Sequence, residues 1–247
     1  DNFRYAFDQP AYTYATQLLQ AEAVGAAVRG WRRRWQGEGR EYTAGALVWQ
    51  LDDCWPVTSW AIVDYALRPK PAYYVMKREL APYTVGLARS ARERVAVWGT
   101  NSTRTAVAAE LELRTWTLAG NLVSEERRQV TLVPNQASEL GSYEALQDTN
   151  QVVCARLLQD GVILARMTLW PEPLKYLDLP DPAITLRRMD GDTVQVSVQR
   201  PAKGVWLAAG DGVKWADNML DLQPGDPQTI LAPGLGDAEI AVRWLGQ

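Results

Sequence analysis

One apolar run, Ala46 to Leu51, stands alone between two helix-forming stretches, and that isolation constrains residues 1–83 more than any other feature. The run reads as a fully buried strand. Before it, Ala15, Leu18, Leu19, Ala26, Val28 and Trp31 recur at helical spacing over residues 11–35, after Pro10 and before Gly37 and Gly39. After it, residues 71–80 read as a second helix that opens on Pro71. A lone strand has two unpaired edges and two bare faces. Helix, strand, helix is one and a half β/α units, the tail of a (β/α)8 TIM barrel, whereas a whole barrel takes roughly 250 residues. Residues 1–83 are therefore expected to pack on polypeptide outside this sequence. The chain starts at Asp1 within a loop-like stretch, as a processed or truncated product would.

The strand empties into residues that are not core material: Trp49, Gln50, Asp52, Asp53, Trp55 and Trp60. Indole faces stack on the C–H faces of a pyranose and carboxylates accept hydroxyl hydrogen bonds, so this cluster suits a sugar. It lies where the active-site rim of a β/α barrel would be. Trp49, Asp53 and Trp55 are the candidate substrate-binding residues. Asp53 either bonds a hydroxyl or braces the loop, Asp52 reads as solvated, and Trp55 and Trp60 line the outer cleft or pack the loop.

The chain has no His. Ser-His-Asp and Cys-His triads and His-rich metal sites are excluded, so hydrolysis here would have to run on carboxylates. A retaining glycosidase needs two of them about 5–5.5 Å apart. Glu22 and Glu79 fall in helices, Glu38 and Glu41 precede the strand, and Glu110 and Glu112 lie in a later strand. None ends a barrel strand, so no catalytic residue, metal or cofactor is assigned.

After Pro82 the periodicity changes. Residues 94–99, 105–117, 127–132, 152–158 and 162–169 alternate apolar and polar positions between turn-forming clusters, the pattern of an immunoglobulin-like sandwich over 84–177. Trp170-Pro171-Glu172-Pro173 closes it and begins a linker to about Pro182. A second strand-rich block, 178–247, offers strands at 183–188, 193–199, 205–208, 228–231 and 238–244, with Pro224-Gly225 setting a type II turn. At this size it is expected to lean on its neighbour. The fold class is mixed: an incomplete barrel tail followed by two immunoglobulin-like β-sandwiches.

Composition narrows the rest. A net charge of −3 argues against a nucleic-acid partner, and no apolar run approaches the roughly 20 residues that cross a bilayer. Cys54 and Cys154 fall in different blocks and read as free buried thiols. Of the eleven Trp, Trp31, Trp98, Trp116, Trp170 and Trp206 read as core fillers. Arg29, Arg32, Arg33 and Arg34 read as a solvated face whose cations complement the helix C-terminal dipole, ahead of an anion-binding patch. Asn101-Ser102-Thr103 is an N-glycosylation acceptor triplet in an expected turn.

The run Gly45-Ala-Leu-Val-Trp49-Gln-Leu-Asp-Asp53-Cys-Trp55-Pro-Val-Thr-Ser-Trp60, with Leu67-Arg-Pro-Lys70-Pro-Ala-Tyr-Tyr74 after it, resembles the eighth barrel strand of β-mannosidases of glycoside hydrolase family 2. That family usually has Asn-Asp at Asp52-Asp53. Asp217-Asn-Met-Leu-Asp221-Leu-Gln-Pro-Gly225 looks like the Asp-Asn-x-x-Asp-Leu-x-Pro-Gly stretch of its last domain. The resemblance implies a C-terminal part of a secreted, exo-acting retaining β-mannosidase whose two catalytic Glu lie upstream, in an N-terminal portion that is its partner. It further implies that Trp49 floors the subsite beside the scissile bond, that Trp49–Gln50 is a cis peptide, and that Asn101 carries a glycan. The alternatives are a non-catalytic carbohydrate-binding or structural module, and a β-galactosidase or β-glucuronidase of the same family.

Overall fold

The structure, a computed structural model, describes residues 2–89, 94–143 and 150–247. It begins with helix α1, Gln9–Arg33, entered through Asp8, whose carboxylate caps Ala11 N at 2.9 Å. Helix α2, Pro71–Glu79, follows after the extended segment between them. α1 buries Leu18, Ala21, Gly25 and Val28. Gly25 is needed where α2 crosses, because a Cβ there would meet Val75 at 2.6 Å.

The first β-unit is a two-sheet sandwich. Strands β1 (Tyr83–Arg89), β2 (Val95–Asn101) and β5 (Gln136–Tyr143) form one sheet in the order β1-β2-β5. Strands β3 (Val107–Thr117), β4 (Leu122–Leu132), β6 (Gln151–Gln159) and β7 (Val162–Leu169) form the other, in the order β4-β3-β6-β7. All neighbouring pairs are antiparallel. Val85, Leu87, Val95 and Val97 meet Leu111, Leu113, Val153 and Leu157 in a closed core.

The second unit pairs β12-β9-β8 with β11-β10-β13, where β8 is Thr185–Asp190, β9 Thr193–Ser197, β10 Ala202–Ala208, β11 Leu220–Leu222, β12 Gln228–Leu231 and β13 Ala241–Arg243. Val194, Val196, Val205, Leu207, Leu220 and Leu222 fill its core. The expected type II turn is present: Gly225 has φ +72° and Asp226 N bonds Gln223 O.

This second unit does lean on its neighbours, and it does so through charge. Asp226 at the turn accepts from Arg156 at 3.0 Å and Arg166 at 2.8 Å on the four-stranded sheet, and Arg156 also bonds Glu112 at 2.7 Å. Burial alone would raise the Asp226 carboxyl, but Arg166 and Arg156 hold it below the usual range. Lys203, almost wholly buried, bonds Glu22 of α1 at 2.8 Å and reaches Asp221 at 3.4 Å. Burial works against its charge; Asp221 and Glu22 more than offset that and leave it above the ordinary lysine range. Trp116 and Trp170 donate their indole N–H groups to Gln223 and Asp221.

Several expectations need correction. The arginine run is a solvated face at Arg34 alone. Arg29 bonds Glu79, Arg32 bonds Ala81 O and Ser102, and Arg33 bonds Glu139 and lies 4.2 Å over the Trp98 ring. These bonds fasten α1 to α2 and to the first sandwich. Trp31 is not a core filler; it is 43% exposed. The expected linker after Trp170 is anchored to its surroundings, with Leu174 and Leu177 buried beside Trp116 and Trp170, Lys175 N bonded to Asn2 O, and Tyr176 exposed. β1, β5 and β11 are strands beyond those expected.

Candidate functional site

The expected strand at 45–51 is the largest departure. The segment is extended, and its side chains alternate as in a strand: Val48 packs toward α1 and α2, while Leu47, Trp49 and Leu51 are 98%, 78% and 61% exposed. It belongs to no ladder among the described residues. Its backbone partners lie in residues 62–63, where Ile62 N bonds Gln50 O at 3.3 Å and Val63 N bonds Leu51 O at 2.9 Å. Burial on both faces is therefore not what this chain shows: one face sits on the helices and the other is open.

Trp49 stands on the open side of the segment, and Trp55 and Trp60 on the loop after it are exposed as well. The Trp49–Gln50 peptide is cis, as the family pattern implies. Gln50 turns its amide to Asp52 O at 2.9 Å, and Asp52 is exposed.

Asp53 differs from the rest of the cluster because it is buried. Both its oxygens hold protein donors: Ser59 Oγ on one, Lys70 Nζ at 2.9 Å on the other. The Ser59 hydroxyl, then Lys70, keep its carboxyl below the usual range. Between the two roles left open for Asp53, bracing the loop is the one these bonds perform. The role of Lys70 and Ser59 escapes sequence reading, because nothing in a lysine before a helix-opening proline points back 17 residues.

Other candidates divide cleanly. Glu22, Glu79 and Glu112 are held in ion pairs with Lys203, Arg29 and Arg156, so none of these carboxylates is free for acid–base work. Among the described residues no group of His, Cys, Asp or Glu is arranged to hold a metal ion. No described helix is long and apolar enough to cross a membrane. Cys154 is buried as expected, but Cys54 is exposed on the Trp-bearing loop. Asn101 does not lie open in a turn. It is 1% exposed, its Nδ2 donates to Thr105 O and Leu132 O, and its Oδ1 accepts from Thr103. A glycan on that nitrogen would have to displace both bonds.

A cavity of about 310 Å³ lies between the end of α1, residues 43–46 and the first sandwich, lined by Trp31, Trp35, Thr43, Thr100 and Asn135 among others. Trp49 is not among its lining residues, and it brings no carboxylates together.

Comparison with known proteins places the two β-units and the chain's relatives. Residues 93–176 match a mannosidase Ig/CBM-like domain and residues 179–237 an Ig-fold domain found in mannosidases. Beta-mannosidase B of Thermothelomyces thermophilus is 38% identical over 282 residues, covering all of this chain and 32% of that protein. Beta-mannosidase B of Aspergillus niger is 38% identical over 271 residues with the same shares. The chain thus spans about a third of the length of the curated relatives it matches. In fold it is similar to a β-D-mannosidase of Dictyoglomus thermophilum (TM-score 0.86, 22% identity, 98% of this chain and 31% of that one). It is also similar to an exo-chitosanase of Amycolatopsis orientalis (TM-score 0.79, 20% identity, 98% and 34%). Residue pattern, sheet architecture and identity along the whole of this chain converge: it belongs to the β-mannosidases of glycoside hydrolase family 2, as the counterpart of a C-terminal part of those enzymes.

Proposed function

We propose that this chain is the C-terminal part of a retaining exo-β-mannosidase that removes terminal β-D-mannose. Residues 1–83 close its TIM barrel, and Trp49 is the platform under the sugar. The observation that carries this is the alternation at 47–51. One side of the segment is packed on two helices, and the other shows Leu47, Trp49 and Leu51 to open space with no neighbouring strands among the described residues. A barrel strand seated on its outer helices and lacking its barrel neighbours looks like this.

α1 supports the same reading. Besides its buried stripe it carries Tyr12, Leu19, Ala23, Ala26 and Gly30, exposed, uncharged and at helical spacing. A preceding barrel helix would cover such a face. The partner is thus the N-terminal portion of the same enzyme, and it brings the acid and the nucleophile.

The test compares residues 1–247 with the longer polypeptide that contains them, on an aryl β-mannoside, an aryl β-galactoside and an aryl β-glucuronide. The expected result is turnover of the mannoside by the longer polypeptide only. In that polypeptide Trp49→Ala is expected to weaken sugar binding by roughly 1–3 kcal/mol. Turnover by residues 1–247 alone would refute the assignment of the carboxylates. Preference for the galactoside or glucuronide would change the sugar. Glycan binding by residues 84–247 alone would favour a non-catalytic module. Secretion belongs to the same proposal, and the burial of Asn101 lends it no support.

A further inference from the structure

Lys70 stands at the boundary of α2, yet its side chain makes no bond to the helix start. It turns back instead to Asp53 Oδ2 at 2.9 Å, in a pair where the lysine side chain is 12% and the aspartate 2% exposed. The other Asp53 oxygen accepts from Ser59 Oγ, and that hydroxyl oxygen accepts from Ala61 N at 3.0 Å. The backbone repeats the tie: Lys70 N donates to Ile62 O at 2.8 Å, and Asp53 N to Val63 O at 3.2 Å. The beginning and end of loop 53–61, and the start of α2, therefore meet at one sheltered ion pair. The indoles of Trp55 and Trp60 project from the loop that this node closes, and Gln20 of α1 holds Trp60 O at 2.6 Å from the other side. Removing one half of a sheltered pair leaves the other charge buried and unpaired, so such a node resists being half-assembled. It is also charge-selective: a neutral side chain of similar length fills the space and loses the tie.

We propose that Lys70, acting through Asp53 and Ser59, is a positioning residue for the sugar site: it fixes the Trp-bearing loop to the start of α2 and touches no sugar itself. This rests on the reading of Trp49 and its neighbours as a sugar site. A platform held loosely costs binding before it costs chemistry, since the reacting carboxylates belong to other strands.

The test uses the full-length polypeptide and its Lys70→Met and Lys70→Arg variants, with two readouts. Lys70→Met is expected to speed amide exchange at Asp53, Ala61 and Val63 about tenfold, with protection in the sandwich core unchanged. It is expected to raise KM for an aryl β-mannoside about tenfold while kcat moves less than threefold. Lys70→Arg, which keeps a cation within reach of Asp53, is expected to bring both back to within about threefold of the parent. If Lys70→Met loses global protection, Ser59→Ala must show the same local exchange with a smaller amplitude. Unchanged exchange at those three amides overturns the clamp whether or not the polypeptide turns over. Faster exchange with unaltered KM overturns its link to the sugar. A parent that hydrolyses no β-mannoside refutes the reading of the site, and the exchange measurement still decides the clamp.

Discussion

Leu111, Leu113 and Leu157 of the first sandwich are wholly shielded between two sheets, whereas Leu47, on the extended segment before it, is 98% exposed. The two regions use similar residues and alternate them with the same period. What separates them is where their hydrogen-bonding neighbours are. Each sandwich strand finds its ladder within the chain, over registers such as Val107–Leu132 on one side of β3 and Leu111–Leu157 on the other. The 45–51 segment finds only residues 62–63 among the described residues. Apolar alternation fixes which face of a segment turns inward; closure depends on partners, and here the partners are unevenly shared.

Thiol chemistry should separate the regions most widely. Cys54 is exposed on the Trp-bearing loop, and Cys154 is buried on β6. Burial, the largest influence, pushes the Cys154 thiol up to about 12. At pH 8 roughly one in 10⁴ such groups is a thiolate. Alkylation of the native chain is expected to label Cys54 at least a thousandfold faster than Cys154. Rates within tenfold of each other would mean that the sandwich opens readily, and would remove the contrast.

Core truncation comes next. Leu113→Ala empties a site with no exposure and is expected to cost about 3–5 kcal/mol, measured by urea unfolding. A cost below about 1 kcal/mol would show that the two sheets do not pack as described.

The interface between the sandwiches sharpens the comparison differently, because it is closed by charge. Asp226→Asn is expected to cost about 3 kcal/mol at pH 7, since it weakens the hold on Arg156 and Arg166. The sign of the pH dependence follows from the direction of the shift. The folded carboxyl lies below its unfolded value, so its stabilisation is complete above the unfolded pKa near ~3.9 and is lost as pH falls through the folded one. The parent should therefore lose more stability than Asp226→Asn between about pH 5 and pH 2. Parallel acid limbs would mean that Asp226 is not paired in solution.

The sequence made the sandwich strands with strong alternation readable, and both helices. It hid β5, whose run Gln-Ala-Ser-Glu-Leu-Gly-Ser-Tyr has little apolar content and whose register against β2 shifts at a bulge next to Gly141. It hid β1 because Gly86 interrupts the apolar pattern. That glycine leaves room for the Trp98 ring, which a Cβ would meet at 2.1 Å. At the site, the aromatic cluster was readable because Trp49, Trp55 and Trp60 lie close in sequence. The tie from Asp53 to Lys70 and the uses of the arginine run were not, because a charge gives no sign in sequence of the distant oxygen it will meet.

The smallest expected effect is also the most discriminating. Leu47→Ala in residues 1–247 is expected to change stability by less than about 0.5 kcal/mol, because a side chain in open solvent leaves no cavity when shortened. In the longer polypeptide the same substitution is expected to cost about 2–3 kcal/mol, the range for a buried leucine that its surroundings partly relax around. The difference between the two backgrounds isolates what the missing strands contribute at this position, since the local helix packing through Val48 is common to both. Equal small costs in both would mean that nothing covers the inner face of the segment, and the barrel assignment would fall even though the family membership stood. Equal large costs would mean that residues 1–247 bury Leu47 themselves, by folding the segment in a way this structure does not show.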